Sequence, residues 1–302
     1  MPEPMEQSTR HVPVLLQPAI RYLNVQPGGT YIDATLGFAG HASEIARRLG
    51  PEGRLIGFDR DPEALALARK RLESLREELG GDMPAVELHD VEFSRAADEL
   101  GGRKVDGLLA DFGISSMQLD EAHRGLSFRA EGPLDMRMNP RRGITAEQVV
   151  NQMDEKELAN LIYEFGEERR SRRIARAIVR ARPLTTTVQL AGVVAAAAPA
   201  MKSERIHPAT RTFQALRIYI NAELGEIDAL LHAAPDLLKP GGRLVAISFH
   251  SLEDRRVKDA LRDGARQGIW ELLTRKPVVA DAEETDRNPR SRSAKLRAAE
   301  RK

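Results

Sequence analysis

The chain has 302 residues, of which 41% are hydrophobic and 30% are charged, and its formal net charge at pH 7 is +1. This composition is that of an ordinary water-soluble protein, and the small net charge excludes a molecule that is strongly basic as a whole. The chain contains no cysteine, which excludes disulfides, thiolate zinc sites, cysteine-ligated iron–sulfur clusters and nucleophilic catalysis by a thiolate.

The hydrophobic residues are spread along the chain. No apolar run approaches the length of a membrane span, and the first ten residues contain no hydrophobic signal segment. We therefore expect a cytoplasmic protein without a membrane partner. A chain of this length can form one large domain, or one domain that carries an insertion.

Strands and helices alternate in the first third of the chain. The predicted strands are Tyr31–Asp33, Leu55–Asp59, Ala85–His89 and Val105–Asp111. A helix is predicted over Pro62–Leu79, with Asp61 as its N-cap and Pro62 at its first position. Strands that alternate with helices predict a parallel sheet.

The pattern then changes twice. From about residue 115 to 215 there is no strand signal, and helices are predicted over Thr145–Asn151, Asp154–Phe165, Glu168–Arg180 and Thr187–Ala198. Later a helix over Gln214–Leu231, a turn at Lys239–Gly242 and a strand over Arg243–Phe249 are predicted, followed by a hairpin of Leu272–Val279 with Ala294–Ala298.

These elements predict an α/β fold with a Rossmann-like sheet, an inserted all-helical subdomain and a C-terminal β-hairpin. The predicted domains are a discontinuous sheet domain of residues 1–114 and 216–302, and a helical insertion of residues 115–215.

A glycine-containing loop follows the first strand. That strand ends at Asp33, the loop runs to His41 with a helix expected from near Ser43, and the next strand ends at a second acid, Asp59. Such an acid can accept hydrogen bonds from ribose hydroxyls. The loop lacks the G-x-G-x-x-G spacing of dinucleotide sites and is more typical of S-adenosylmethionine (AdoMet) binding, with NAD as the alternative. Phe93 is placed either to cover an adenine ring or to pack in the core.

Two residues at strand ends are candidates for contact with a substrate. Asp111 ends the fourth strand, and the carboxyl ends of parallel strands line the ligand crevice; its alternative role is a turn former or cap. His250 follows the fifth strand, where a structural role is the alternative. The seven histidines show no metal-ligand spacing, so no metal is expected.

Arginines repeat at helical spacing within the predicted insertion. One helix face carries what we call the arginine stripe: Arg169, Arg172, Arg173, Arg176 and Arg180. Five like charges on one face repel one another, so the stripe suits either an anionic partner such as RNA or a merely solvated face. The segment His207–Arg217, which includes Arg211, suits either phosphate binding or an ordinary helix start.

Together these segments resemble the bacterial ribosomal RNA small-subunit methyltransferase H family, also called RsmH or MraW. The resemblance covers nearly the whole chain. Its segments are His11–Leu16, Asp33–His41, Asp59–Pro62, Asp111–Ser116, Gln118–Asp120, Gly132–Met138, Phe165–Arg169, His207–Arg217, Ser248–Arg255 and Asn288–Ser293.

The resemblance implies AdoMet-dependent methylation of the exocyclic N4 of one cytidine in the decoding region of 16S ribosomal RNA, within an assembled small subunit. The family's cofactor contacts carry over to Ala39, Gly40, His41, Asp59, Phe93, Asp111 and Gln118. Ala39 stands where relatives often have glycine, and its backbone contact with the cofactor survives if φ stays negative.

Many amino methyltransferases carry an Asp/Asn-Pro-Pro-aromatic motif after the fourth strand, where this chain has Asp111-Phe112-Gly113-Ile114. Asp111 either orients the amine or holds the methionine amino group of AdoMet. In the second case His250 or Asp135 becomes the candidate for the amine. The insertion, with the arginine stripe and the loop that contains Arg137, is expected to hold the RNA.

Three other readings remain open on the residues alone. One is an NAD-dependent dehydrogenase, which the glycine pattern disfavours. The others are a non-catalytic RNA-binding protein that has kept the fold, and a methyltransferase that acts on DNA or protein.

Overall fold

The computed structural model describes residues 13–199 and 206–302. The predicted motif His11–Leu16 therefore begins outside the described residues. The described chain forms two compact units, one holding the residues up to Gly113 together with Glu226–Lys302, and the other holding Ile114–Gly225. The domain boundaries predicted from the sequence, 114/115 and 215/216, stay a prediction.

The first unit is built on one sheet. Its strands are β1 Thr30–Asp33, β2 Arg54–Phe58, β3 Ala85–His89, β4 Val105–Asp111, β5 Leu238–Ser248, β6 Trp270–Leu272 and β7 Lys295–Arg301. Their spatial order is β3-β2-β1-β4-β5-β7-β6. The first five are parallel, and β7 lies antiparallel between β5 and β6. The predicted Rossmann-like α/β fold with a C-terminal strand pair is thereby confirmed.

Helices connect the strands and make up most of the second unit. In chain order they are α1 Leu16–Leu23, α2 Gly40–Leu49, α3 Pro62–Leu79, α4 Ala96–Leu100, α5 Ser116–Asp120, α6 Ala146–Gln152, α7 Glu155–Gly166, α8 Ser171–Ala181, α9 Thr187–Ala197, α10 Ala209–Ile220, α11 Glu223–Leu237, α12 Ser251–Arg266 and α13 Ala282–Arg287. None of the helices within 13–199 and 206–302 is long and apolar enough to cross a membrane.

Local side-chain contacts start several of these helices. Asp61 accepts a hydrogen bond from Glu63 N at 3.0 Å ahead of Pro62, so the predicted cap of α3 is confirmed. Thr145 and Thr186 form capping boxes at α6 and α9. Each such cap satisfies backbone donors that a helix cannot pair within itself.

Each unit has its own apolar core. In the first unit, buried residues of α1, α2 and α3 pack on the sheet, with Leu15, Ile45, Leu55 and Leu109 among them. In the second unit, buried residues of α6 to α10 pack on one another. Full burial of a Leu or Ile side chain contributes about 1.5–3 kcal/mol, so each unit holds together without a disulfide.

The single helix predicted over Gln214–Leu231 is wrong. The chain breaks between α10 and α11, where Ala222 has a φ of +49°. The Asn221 amide donates to the Met136 carbonyl at 2.8 Å and its oxygen accepts from Met138 N at 2.7 Å. These contacts with a distant loop stabilise a break that helical periodicity does not reveal.

Smaller differences concern element ends. The predicted turn at Lys239–Gly242 lies inside β5 as an irregularity, because the pairing with β4 shifts between Val105 and Gly107. The first strand of the terminal pair is Trp270–Leu272 rather than Leu272–Val279, and Val278 makes only an isolated bridge with Leu296. α2 begins at Gly40, three residues before the predicted Ser43.

Candidate active site

Three carboxylates meet at the carboxyl edge of the sheet. In the register, Asp33 pairs with Gly57 of β2 and with Leu109 of β4. Asp59 and Asp111 each lie two residues beyond those partners, so all three acids come from the ends of adjacent strands. Asp33 is 1% exposed, whereas Asp59 and Asp111 are half-buried. This is the edge where open parallel sheets bind their ligands.

Hydrogen bonds from backbone and hydroxyl groups join the loop after β1 to the end of β4. Asp111 N donates to the Thr35 hydroxyl at 2.6 Å, and Ala34 N donates to the Leu109 carbonyl at 2.8 Å. Thr35 N in turn donates to Asp33 Oδ1 at 3.2 Å. The loop is therefore held in place before any ligand arrives.

Asp59 fixes the other side of the loop. Its two carboxylate oxygens accept hydrogen bonds from Gly37 N and from Asp61 N, each at 2.8 Å. A carboxylate has about four lone-pair sites, so Asp59 can still accept hydrogen bonds from a ribose.

The backbone at Ala39 is left-handed, with a φ of +55° and a ψ of +34°, so the condition of a negative φ is not met. Its carbonyl accepts hydrogen bonds from Ser43 N at 2.9 Å and from the Ser43 hydroxyl at 2.5 Å, and its methyl group is fully buried. These contacts offset the roughly 1–2 kcal/mol that a left-handed non-glycine residue costs. A Cβ on neighbouring Gly40 would lie 2.4 Å from Pro13 Cγ, so no side chain fits there.

His41 lies on the first turn of α2 and is 6% exposed. Its Nε2 is 3.1 Å from the Val14 carbonyl oxygen, and its Nδ1 is 3.8 Å from Asp111 Oδ2. The residue thus joins the loop, the segment before α1 and the end of β4.

The acids at this edge hold their protons more tightly than free carboxyls do. Burial, and then the neighbouring Asp59, raises the pKa of Asp33 from 3.8 to about 7, against the lowering effect of the Thr35 N–H. Burial raises the pKa of Asp59 to about 6, although two backbone N–H groups oppose it. Burial, and then Asp33 and Glu253, raises the pKa of Asp111 well above its usual range. A site of this kind favours a cationic ligand.

Phe93 lies just after β3 and is partly exposed. Its ring centroid is 5.8 Å from that of Phe112, which is buried at the end of β4. The ring therefore packs beside one buried aromatic residue, and its contact with an adenine stays a prediction.

His250 caps α12. Its Nδ1 accepts from Glu253 N at 3.4 Å, while Glu253 Oε2 accepts from Phe249 N at 2.7 Å and from His250 N at 3.3 Å. His250 Nε2 lies 3.1 Å from Glu253 Oε1 but without hydrogen-bond geometry. These contacts give His250 a structural role at the helix start, and its catalytic role stays a prediction.

Two further candidates belong to the second unit. Gln118, on α5, is 7% exposed and accepts a hydrogen bond from Ser115 N at 2.9 Å. Asp135 forms a two-pronged ion pair with Arg137, at 2.8 and 2.7 Å. Burial acts to raise the pKa of Asp135, but hydrogen bonds from Arg137 hold it below the usual range. An ionised, paired carboxylate is a weak base.

The arginine stripe is exposed on and just before α8 of the second unit. Within the stripe, Arg176 Nε lies 3.4 Å from Glu155. The apolar side of α8, with Ile174 and Ile178, is buried in the core. The five arginine side chains of the stripe are exposed, so an approaching RNA can reach them with its phosphates.

The remaining basic candidates differ in exposure. His207 is exposed, and its ring centroid lies 4.7 Å from that of Phe128. Arg211 is 40% exposed and 3.7 Å from the buried Glu168. Arg217 is 14% exposed and makes a two-pronged ion pair with Glu223 at 2.8 and 2.9 Å. This pairing favours a structural role for Arg217 over contact with RNA.

Sequence reasoning missed Glu253, which is fully buried and whose charge helps to raise the pKa of Asp111. Its position three residues after His250 at a strand-to-helix junction is the spacing of a capping box and was a usable signal. Thr35 and Val14 were also missed, because nothing local marks their contacts with residues far along the chain.

The sheet, with its antiparallel seventh strand and acids along the carboxyl edge, is that of the Rossmann-like methyltransferases. The chain belongs to the MraW methylase family, whose family model matches residues 8–302. The resemblance inferred from the sequence motifs is thereby confirmed.

Individual relatives match along nearly their full length. The chain is 75% identical over 293 residues to the ribosomal RNA small subunit methyltransferase H of Acidobacterium capsulatum, covering 97% of this chain and 99% of that protein. It is 61% identical over 294 residues to the protein of the same name from Koribacter versatilis, covering 97% and 94%. A third protein of that name, from a Cyanothece strain, is 48% identical over 301 residues.

Proposed function

We propose that this methylase transfers the methyl group of AdoMet to the exocyclic N4 of a cytidine in the decoding region of 16S ribosomal RNA. The observation that carries the proposal is Asp111 at the end of β4, whose Oδ1 is buried and has no hydrogen-bond partner among the described residues. A buried acceptor without a partner costs about 1–3 kcal/mol, and a hydrogen bond donated by a ligand would remove that cost.

The acidic edge fits AdoMet by charge. When bound, AdoMet supplies a methyl group activated on a sulfonium cation. Buried carboxylates with raised pKa values recover their ionised form beside such a cation, which favours binding. The residues that would hold it in the first unit are Asp33, Ala39, Gly40, His41, Asp59 and Phe93. Asp59 would accept hydrogen bonds from the ribose hydroxyls, and Gln118 of the second unit is a further family contact.

Asp111 would act on the amine. The N4 amine of cytosine is a weak nucleophile, because its lone pair is delocalised into the ring. An ionised carboxylate that accepts a hydrogen bond from this amine stabilises the positive charge that develops on nitrogen. Asp111 Oδ1 is available for that bond, whereas His250 caps a helix and Asp135 is paired with Arg137. These contacts favour Asp111 over the two other candidates.

The RNA would be bound through the second unit. The exposed arginine stripe can neutralise several phosphates, and the exposed His207 can stack on a base. The target cytosine must leave its stack to reach the methyl group. Arginine contacts with phosphates spread over a folded RNA surface favour an assembled small subunit over free RNA as the substrate. We place the reaction in the cytoplasm.

The assignment of the cofactor and the assignment of the methylated polymer are tested by separate measurements. Calorimetry measures binding of AdoMet, and labelled AdoMet is then incubated with assembled small subunits, free 16S RNA, DNA or mixed protein. We expect binding, and label in the subunits. Binding with label only in DNA or protein would overturn the polymer assignment, and no binding would overturn the cofactor assignment. Asp111→Asn should bind AdoMet and transfer at least 100-fold more slowly, since one lost transition-state acceptor costs about 2.7 kcal/mol or more.

A further inference from the structure

The contact between His41 and Asp111 determines where protons lie. Nε2 of His41 faces the Val14 carbonyl oxygen at 3.1 Å. A carbonyl oxygen only accepts hydrogen bonds, so Nε2 must carry a hydrogen. In a neutral imidazole the other ring nitrogen then presents a lone pair. That nitrogen, Nδ1, lies 3.8 Å from Asp111 Oδ2.

Two acceptors at this distance, one on a buried and one on a half-buried side chain, repel each other unless a proton lies on one of them. The groups that face Asp111 from other elements add to this need. Asp33 at the end of β1 and Glu253 on α12 are both carboxylates, and with burial they raise the pKa of Asp111 well above its usual range. Asp59 at the end of β2 acts on Asp33 in the same sense. The pair therefore holds one proton in the cofactor-free protein.

We propose that His41 and Asp111 work as a proton-holding pair that carries one proton without cofactor, releases it when the sulfonium of AdoMet binds, and takes up the proton that the amine loses on methyl transfer. The inference rests on the proposed function. His41 acts on the reaction through Asp111, beyond its expected contact with the cofactor.

The charges balance at each stage. In the transfer, the nitrogen–methyl bond forms as the methyl–sulfur bond breaks, and the electron pair of that bond stays on sulfur. The sulfonium charge is lost, and the displaced N4 proton is taken up by Asp111, beside which His41 Nδ1 lies at 3.8 Å. The site therefore exchanges a cationic sulfur for a proton and keeps the same net charge.

Calorimetry can count these protons. Binding of AdoMet and of S-adenosylhomocysteine is measured near pH 7 in buffers with different heats of ionisation. The two ligands differ only in the methyl group and its charge, so their difference isolates the response to the sulfonium. We expect AdoMet to release about one proton more than S-adenosylhomocysteine, as linkage requires for one protonated pair. Equal proton release by the two ligands would overturn the proposal.

Matched variants assign the proton to the pair. His41→Gln keeps a donor for the Val14 carbonyl but removes Nδ1, so the extra proton should be released at a different pH or not at all. His232→Gln, at an exposed position on α11 of the same unit, should leave the release unchanged. If His41→Gln behaves as His232→Gln does, Asp111 holds the proton alone and the role of His41 is refuted.

Nitrogen-15 NMR of labelled histidine in the unmodified protein gives a second readout that needs no variant to fold. The His41 resonances should show hydrogen on Nε2, and its Nδ1 signal should shift with AdoMet but much less with S-adenosylhomocysteine. Hydrogen fixed on Nδ1 in both complexes would contradict the proposal. AdoMet binding and RNA methylation with no proton difference would overturn this inference alone, whereas no AdoMet binding would overturn the proposed function as well.

Discussion

Replacing Asp59 with Asn separates the ligand role of this residue from its structural role. The carboxylate accepts hydrogen bonds from Gly37 N and Asp61 N. Asn can accept one of them, and its amino group would face the other donor, which costs about 1.5–3 kcal/mol. Against this, burial raises the pKa of Asp59 from 3.8 to about 6, so at pH 8 the ionised form costs the folded protein about 3 kcal/mol, and Asn removes that cost.

The two terms nearly cancel in the cofactor-free protein but not in the complex. We therefore expect Asp59→Asn to change the free energy of unfolding at pH 8 by at most about 1.5 kcal/mol, measured by urea denaturation. Its Kd for AdoMet, measured by calorimetry, should rise about 10- to 100-fold, because charged hydrogen bonds to the ribose are lost. Asp61→Asn, which keeps the cap of α3, serves as the matched control and should change neither quantity much. An unchanged Kd, or a loss of more than about 3 kcal/mol in unfolding free energy, would refute the reasoning.

Three further outcomes follow from the other contacts. Because the pKa of Asp33 is about 7 in the folded protein and 3.8 as the reference value, the folded state binds its proton more tightly. The contribution of Asp33 to the free energy of unfolding, measured as the difference between the cofactor-free protein and Asp33→Asn, should then fall as pH rises from about 4 to about 7, by up to about 1.4 kcal/mol per pH unit, and a rise over that window would contradict the pKa. Arg217→Ala should destabilise the protein by about 3–5 kcal/mol, because Glu223 stays buried without its partner; a loss below about 1 kcal/mol would return Arg217 to the RNA-binding candidates. Replacing the arginine stripe with alanine should weaken RNA binding and flatten its dependence on salt while AdoMet binding is unchanged, and an unaltered salt slope would remove the stripe from the RNA interface.

The acids of the site could be predicted because their positions are encoded locally. Asp33, Asp59 and Asp111 each end an apolar run, and strands that alternate with helices are parallel, so the three acids had to meet at one edge of the sheet. The cap at Asp61 is equally local. The loop after the first strand already favoured AdoMet over NAD, and the family motifs added the methylated atom and the expected RNA substrate.

What could not be predicted depends on contacts between distant parts of the chain. The break between α10 and α11 requires hydrogen bonds from Asn221 to a loop more than 80 residues away. The left-handed φ of Ala39 depends on the packing of its methyl group and on Ser43. The approach of His41 to Val14 and Asp111 likewise joins three separate segments. Periodicity and spacing describe one segment at a time and carry no signal for such contacts.

The central claim is methyl transfer to N4 of a cytidine in 16S ribosomal RNA, and nucleoside analysis tests it most directly. Small ribosomal subunits that lack the modification are incubated with this protein and labelled AdoMet, and the RNA is digested and separated. The account predicts label in N4-methylcytidine, and labelling there at least 100-fold more slowly with Asp111→Asn. Label in a nucleoside methylated at another atom, or no label although AdoMet binds, would contradict it.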